Sequence, residues 1–253
     1  MKARYQYRFY PTDQQKQSLA QLFGCVRVVW NDALAFCKQS EKLPGYSKLS
    51  AMLTQAKKTE AREWLASVSS VPLQQSLRQL DVAYKNFFNS RNGKRKGKKV
   101  NSPKFKKKSN RQSATFANTA FKVSDRVVYL AKIGDIKPIW SRELPAIPSS
   151  VTVIKDCADR YFVSFVVEIT PKKLLDNGKS TGIDLGIADF ATFSNGDKVK
   201  APKPLKRKLK RLRKLQRNLA RKTKGSKRRE KTRKRVAKLH ARVKDTRTDF
   251  RRC

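Results

Sequence analysis

Aromatic and polar residues alternate over positions 3–10, RYQYRFYP, until Pro11 ends the run, which is the period of a half-buried strand. Thr12, with Gln15 three positions on, makes a capping box at the start of a helix. Leu19, Leu22, Phe23, Val26, Val29, Trp30, Ala33 and Leu34 follow at spacings of three and four, so one face of that helix is apolar. A second helical zone covers 47–58. A third follows Pro72, where Leu73, Leu77, Leu80, Ala83, Tyr84, Phe87 and Phe88 keep the helical period. Residues 11–90 therefore read as a helical lobe.

The pattern breaks at 91–113, a stretch with eleven Lys or Arg, no acid, two glycines and a proline. Its composition predicts a solvated, flexible loop that orders on a phosphate backbone. From 114 the period changes to two. Candidate strands are 114–122, 126–131, 133–139, 151–156 and 160–168, separated by Ser124-Asp125, Gly134-Asp135, Pro145 to Ser149, and Asp156 to Arg160. Several short, closely spaced strands predict a small antiparallel β-barrel built from 1–10 plus 114–170, with the helical lobe inserted in it.

A Pro-Lys-Lys and Asn-Gly-Lys linker then leads to TGIDLGIADFATFSNGDKV. Here 181–187 reads as a buried strand and 190–194 as a second, followed by an Asn195-Gly196 turn and a short third strand, all within 180–200. Residues 203–253 hold 25 Lys or Arg and three acids. Leu205, Leu209, Leu212, Leu215 and Leu219 form one apolar seam, and Val236, Leu239, Val243 and Phe250 form another. Lys224-Gly225-Ser226-Lys227 lies between them, so the segment reads as an antiparallel helical hairpin with a basic outer surface. The fold class expected is α+β.

Charge changes this picture from architecture to partners. The 253 residues carry 61 Lys+Arg against 19 Asp+Glu, a net charge of +42. So large a charge works against compaction unless a polyanion neutralises it. Nucleic acid is the dense polyanion that fits, because phosphate contacts release counterions. The candidate phosphate contacts in the loop are Lys94, Arg95, Lys96, Lys98 and Lys99, then Lys104, Lys106, Lys107, Lys108 and Arg111. In the hairpin they are Lys206, Lys210, Arg213, Arg217 and Arg221, then Lys227, Arg228 and Arg233. No run of about 18 apolar residues is present and the N-terminus lacks a signal-peptide core, so no membrane partner is expected and the location expected is cytoplasmic, at the nucleoid. Cys25, Cys37, Cys157 and Cys253 form no Cys-x-x-Cys pair. They read as reduced thiols, with no zinc site.

Among the residues that could do chemistry, Asp184 is the most informative. It sits in GIDLGI, read as a buried strand, where a carboxylate is costly unless paired or holding a metal. Mg²⁺ prefers such oxygens, and Gly186, on the same strand face, would leave room beside the ion. An Asp on the first strand of a three-stranded meander is how ribonuclease-H-like metal sites begin. Actin-like and Hsp70-like ATPases also place Asp-x-Gly there, but Ile187-Ala188-Asp189-Phe190 does not supply their phosphate-holding turn. Two-metal hydrolysis needs several carboxylates around ions about 3.5–4 Å apart. The chain offers only Asp189, Asp197, Glu230, Asp245 and Asp249 after Asp184. The first reads as a turn or surface acid and the second as part of the Asn-Gly turn. The last three read as ion-pair partners on basic helices, and the single histidine, His240, as a solvated or seam-flanking residue.

Taken together, YRFYPTDQQKQSLAQLFGCVRVVWNDAL, SSVPLQQSLRQLDVAYKNFF, SPKFKKKSNRQSATF, GIDLGIADFATFSNGDKV and the basic helices occur in an order that resembles the TnpB (OrfB) family of transposon-encoded, RNA-guided DNA nucleases. The resemblance runs over nearly all of the chain. It implies that the N-terminal helices are a helix-turn-helix-like recognition lobe, the barrel a wedge domain, and 180–200 the first hairpin of a RuvC-like nuclease domain. It further implies that Asp184 is the first catalytic Asp and a Mg²⁺ ligand, and that the partners are guide RNA and double-stranded DNA. Family members continue into a motif with a catalytic Glu, a Cys-x-x-Cys zinc ribbon and a motif with a catalytic Asp, whereas this sequence ends at Arg251-Arg252-Cys253. One catalytic carboxylate of three predicts a binding protein that does not cut alone, so that a separate polypeptide would be needed to complete the nuclease domain. The other readings are a nuclease-dead DNA-binding repressor and a generic basic nucleoid- or ribosome-associated protein.

Overall fold

The computed structural model describes residues 1–171, 178 and 180–250. Cys253 and most of the expected linker between 171 and 179 lie outside them. The chain divides into two units, Met1–Asp156 with Arg160–Thr170, and Cys157–Asp159 with Pro171–Cys253.

The first unit opens with β1 (Lys2–Phe9), whose aromatic alternation does what its period predicts: Tyr7 and Phe9 are buried while Gln6 is exposed. α1 (Asp13–Gln39) starts at the expected capping box. The Gln15 amide donates to Thr12 Oγ1 (3.3 Å) and the Thr12 amide donates to Gln15 Oε1 (3.1 Å). All eight apolar residues named above for this helix are buried. α2 (Tyr46–Ala56), a 3-10 turn (Glu63–Ser67) and α3 (Ser70–Arg91) follow, and Leu73, Leu77, Leu80 and Tyr84 of α3 join the same core. Pro72 lies in the first turn of α3, where a missing amide hydrogen costs no helical bond.

The remaining strands are β2 (Gln112–Ala117), β3 (Phe121–Val123), β4 (Val128–Leu130), β5 (Gly134–Ile136), β6 (Pro138–Ile139), β7 (Ser150–Lys155) and β8 (Tyr161–Glu168). They form no closed barrel. One antiparallel sheet has the order β2-β7-β8-β1-β6, and a separate one has the order β3-β4-β5. The reason lies in the segment read as a single strand, 133–139. It divides at Lys137, so β5 pairs with β4 while β6 pairs with β1, and β2 and β6 remain as edges. β1 nevertheless joins the sheet through its full length, from Lys2 opposite Glu168 to Phe9 opposite Tyr161. The helices are inserted between β1 and β2, and α1 and α3 both pack on β2.

The second unit holds β9 (Ile183–Asp184), β10 (Asp189–Phe193) and β11 (Lys198–Lys200) in a meander, and then α4 (Pro204–Ala220) and α5 (Lys227–Phe250). Asn195-Gly196 turns the β10–β11 hairpin. Gly196 has φ +90°, and Asn195 Nδ2 donates to Asp197 Oδ2 (2.7 Å). α4 and α5 pack as the expected hairpin over Leu212, Leu239 and Val243, while Leu209, Leu215, Leu219 and Val236 are half-buried. Ser226 caps α5 by accepting from the Arg229 amide (3.1 Å).

Candidate nucleic-acid interface

The basic segment after α3 is tied to α1 by Arg27, Trp30 and Asn31. Asn31 pairs reciprocally with the Lys106 backbone: its Nδ2 donates to the Lys106 carbonyl (3.1 Å) and its Oδ1 accepts from the Lys106 amide (2.8 Å). Trp30 Nε1 donates to the Lys104 carbonyl (3.1 Å). Farther on, Gln112 Nε2 donates to the carbonyls of Lys107, Lys108 and Asn110, and its Oε1 accepts from Arg27 (3.2 Å). The segment expected to be free is therefore tied down over 104–112. Its composition concealed this because most of the ties use its backbone, and two of the residues that make them, Trp30 and Asn31, lie in a helix far away in sequence.

This arrangement sorts the candidate cations. Lys94, Arg95, Lys96, Lys98, Lys99, Lys104, Lys107, Lys108 and Arg111 are exposed. Lys106 is different: it is half-buried, with its ammonium 3.9 Å from the centre of the Trp30 ring, and burial pushes its pKa down to about 8. Its side chain is directed at α1 as a packing element.

On α4, Lys206, Lys210, Arg213 and Arg217, with Arg221 at the C-cap, are all exposed. Their spacings of four, three, four and four keep them on one face along about 22 Å of helix. α5 carries a second exposed row, Arg228, Lys231, Arg235, Lys238 and Arg242, at spacings of three and four. Sequence reading found only Arg228 of this row; the heptad-like spacing was the available signal. Like charges so placed repel by about 0.2–0.5 kcal/mol per pair, a cost that an overlying polyanion removes. Lys227 is also exposed, but Arg233 is half-buried and donates through Nε to Glu230 Oε2 (2.9 Å). That pair holds the Glu230 carboxyl below the usual carboxylate range and matches the expected pairing of this acid.

Asp184 departs from its expected setting. β9 is two residues long and exposed, and Ile183, Leu185 and Ile187 beside it are 57%, 70% and 94% exposed. The apolar pattern predicted burial, but nothing described here covers these side chains. Gly186 lies beyond the strand end, and a Cβ there would meet the Asp189 carbonyl oxygen at 3.1 Å, so the glycine serves a close backbone approach. Among the described residues no three His, Cys, Asp or Glu side chains come together as a possible metal site. Cys25 and Cys37 are buried and free, with their thiol pKa values pushed up by burial, and Cys157 is exposed and free. His240 is exposed. No helix among the described residues is long and apolar enough to cross a membrane.

Comparison with known proteins gives this basic architecture its family. The OrfB family model described as "Probable transposase" matches residues 164–252, and its companion "Helix-turn-helix domain" matches residues 1–42. A Streptomyces pristinaespiralis protein named "Putative RNA-guided DNA endonuclease" is 42% identical over 99% of this chain and 62% of its own length. The chain belongs to the OrfB transposase family. Another relative, the Escherichia coli K12 "Putative RNA-guided DNA endonuclease InsQ", is 29% identical over 97% of this chain and 60% of its own length. "Virulence protein VsdF" of Salmonella dublin is 33% identical over 39% of this chain and 87% of its own. The chain thus spans about three fifths of the length of the two relatives named as RNA-guided DNA endonucleases. Residues 1–42, matched to the helix-turn-helix model, form β1 and the single unbroken helix α1. Membership of the OrfB family favours neither the repressor reading nor the generic basic protein.

Proposed function

We propose that this OrfB-family polypeptide binds guide RNA and double-stranded DNA, in line with relatives named putative RNA-guided DNA endonucleases, and that these 253 residues hold nucleic acid without cutting it. The observation that carries the reading is the two exposed cation rows of α4 and α5, together with the tethered basic segment at 104–112. Phosphate contacts of this kind fix position and carry no sequence information.

In this proposal the β9–β11 meander is the first hairpin of a RuvC-like nuclease domain and Asp184 its first catalytic Asp. The five-stranded sheet is the wedge and α1–α3 the recognition lobe. Cleavage would require further carboxylates beside Asp184 to hold Mg²⁺, which would supply charge stabilisation to the attacking and leaving oxygens. The protein would work in the cytoplasm at the nucleoid. The test is equilibrium binding of RNA and duplex DNA across 50–200 mM salt. Neutralising about 6–10 phosphates lowers affinity roughly 10³- to 10⁵-fold over that range. A nearly flat salt dependence would remove the electrostatic basis of the proposal.

A further inference from the structure

Phe105 is an aromatic ring in the middle of Lys104-Phe105-Lys106-Lys107-Lys108, and it is 47% exposed. Charge neutralisation gives no reason for an apolar ring at that place. The fold does not bury it, yet the fold anchors the backbone on either side of it. The Lys104 carbonyl accepts from Trp30 Nε1 on one side of it, and the Lys106 amide and carbonyl are both paired to Asn31 on the other. The Lys38 ammonium sits 4.7 Å from the ring centre. The ring borders a groove of about 340 Å³, whose lining includes Arg27, Trp30, Arg111 and Gln112.

An exposed aromatic ring on an anchored backbone, beside exposed cations, is the chemistry that receives an unpaired nucleobase. The base stacks on the ring and the adjoining phosphates meet the lysines. A paired duplex offers only base edges in its grooves, so its bases cannot stack on a side chain in this way. We propose that Phe105 is a stacking platform for an unpaired base of single-stranded RNA or DNA, with Lys38, Lys104 and Lys107 beside it for the flanking phosphates. This rests on the nucleic-acid-binding reading above and adds to it a preference for chains that carry accessible bases.

The test uses the whole chain and labelled ten-nucleotide poly-adenine oligonucleotides, one of RNA and one of DNA, each with a fully abasic counterpart of the same length and charge. Loss of one stacked base weakens binding by about 5- to 150-fold. The wild-type protein is therefore expected to prefer at least one base-bearing oligonucleotide over its abasic counterpart by a factor in that range. The arm that shows the preference identifies the strand. Phe105→Leu should abolish the preference while leaving abasic affinity and the salt slope unchanged, and Phe105→Trp should restore it. Equal binding of base-bearing and abasic chains by the wild type, or a preference that survives in Phe105→Leu, overturns the platform while the phosphate-binding reading stands. Failure to bind any oligonucleotide at low salt overturns both.

Discussion

Lys106 gives the sharpest physical consequence of the way the basic segment is tied to α1. Its ammonium, with an ordinary pKa of 10.5, is brought down to about 8 by burial. At about 1.4 kcal/mol per pH unit, that depression is equivalent to about 3 kcal/mol against the charged form. The cost of keeping Lys106 charged in the folded state at pH 7 is therefore about 3 kcal/mol, its contact with the Trp30 face 3.9 Å away notwithstanding. A base whose folded pKa is lowered gives up its proton in the folded state first. Between about pH 8 and 10.5 the unfolded chain therefore binds more protons, and stability from this residue rises with pH. Lys106→Met keeps the stem against Trp30 and removes the charge. Urea unfolding at pH 7 should show the variant more stable by about 3 kcal/mol, and the gap should shrink to about 1 kcal/mol by pH 10 as wild-type Lys106 neutralises. Taking the difference between the two proteins cancels the titration of every other group. A variant less stable than wild type at pH 7, or a gap of the same size at both pH values, would refute the reasoning.

Leu212→Ala should lower the stability of the α4–α5 hairpin by about 2–3 kcal/mol, in the lower part of the range for buried leucines because its neighbours Leu209 and Leu215 are only half-buried; chemical denaturation followed by circular dichroism reads this directly. Thr12→Ala removes the capping oxygen of α1 and should cost about 1 kcal/mol, measured as a shift of the urea midpoint at unchanged slope. Converting Arg213, Arg217 and Arg221 together to Ala should reduce the magnitude of the slope of log affinity against log salt by about 2–3 on duplex DNA, whereas Arg233→Ala, which removes a residue paired to Glu230, should change it by less than one.

Local signals carried most of the fold. The Thr12–Gln15 cap, the apolar spacing from Leu19 to Leu34 and the Asn195-Gly196 turn each specify structure through neighbouring residues, and each forms as its pattern requires. Non-local pairing was less legible. Nothing in the alternation of 133–139 shows that its two halves join different sheets, because a change of partner at Lys137 leaves the period intact. The candidate site divides in the same way. Helical spacing revealed the cation row of α4, since exposure on a helix follows from sequence position. The roles of Lys106 and Phe105 stayed hidden, because both depend on Trp30, Asn31 and Lys38 of a helix about 70 residues away. The exposure around Asp184 was hidden for a related reason: an apolar run implies burial only when something packs over it, and Leu185 and Ile187 are open to solvent among the described residues.

The proposed division between holding and cutting is tested most directly by one assay on the purified 253-residue polypeptide. It is incubated with a candidate guide RNA, a labelled duplex carrying the matching target, and Mg²⁺. The expected result is an RNA-dependent complex in which the duplex stays uncut, equally for the wild type and for Asp184→Ala. Guided cleavage that Asp184→Ala abolishes would contradict the account, because it would mean that these residues alone complete a metal site around that carboxylate.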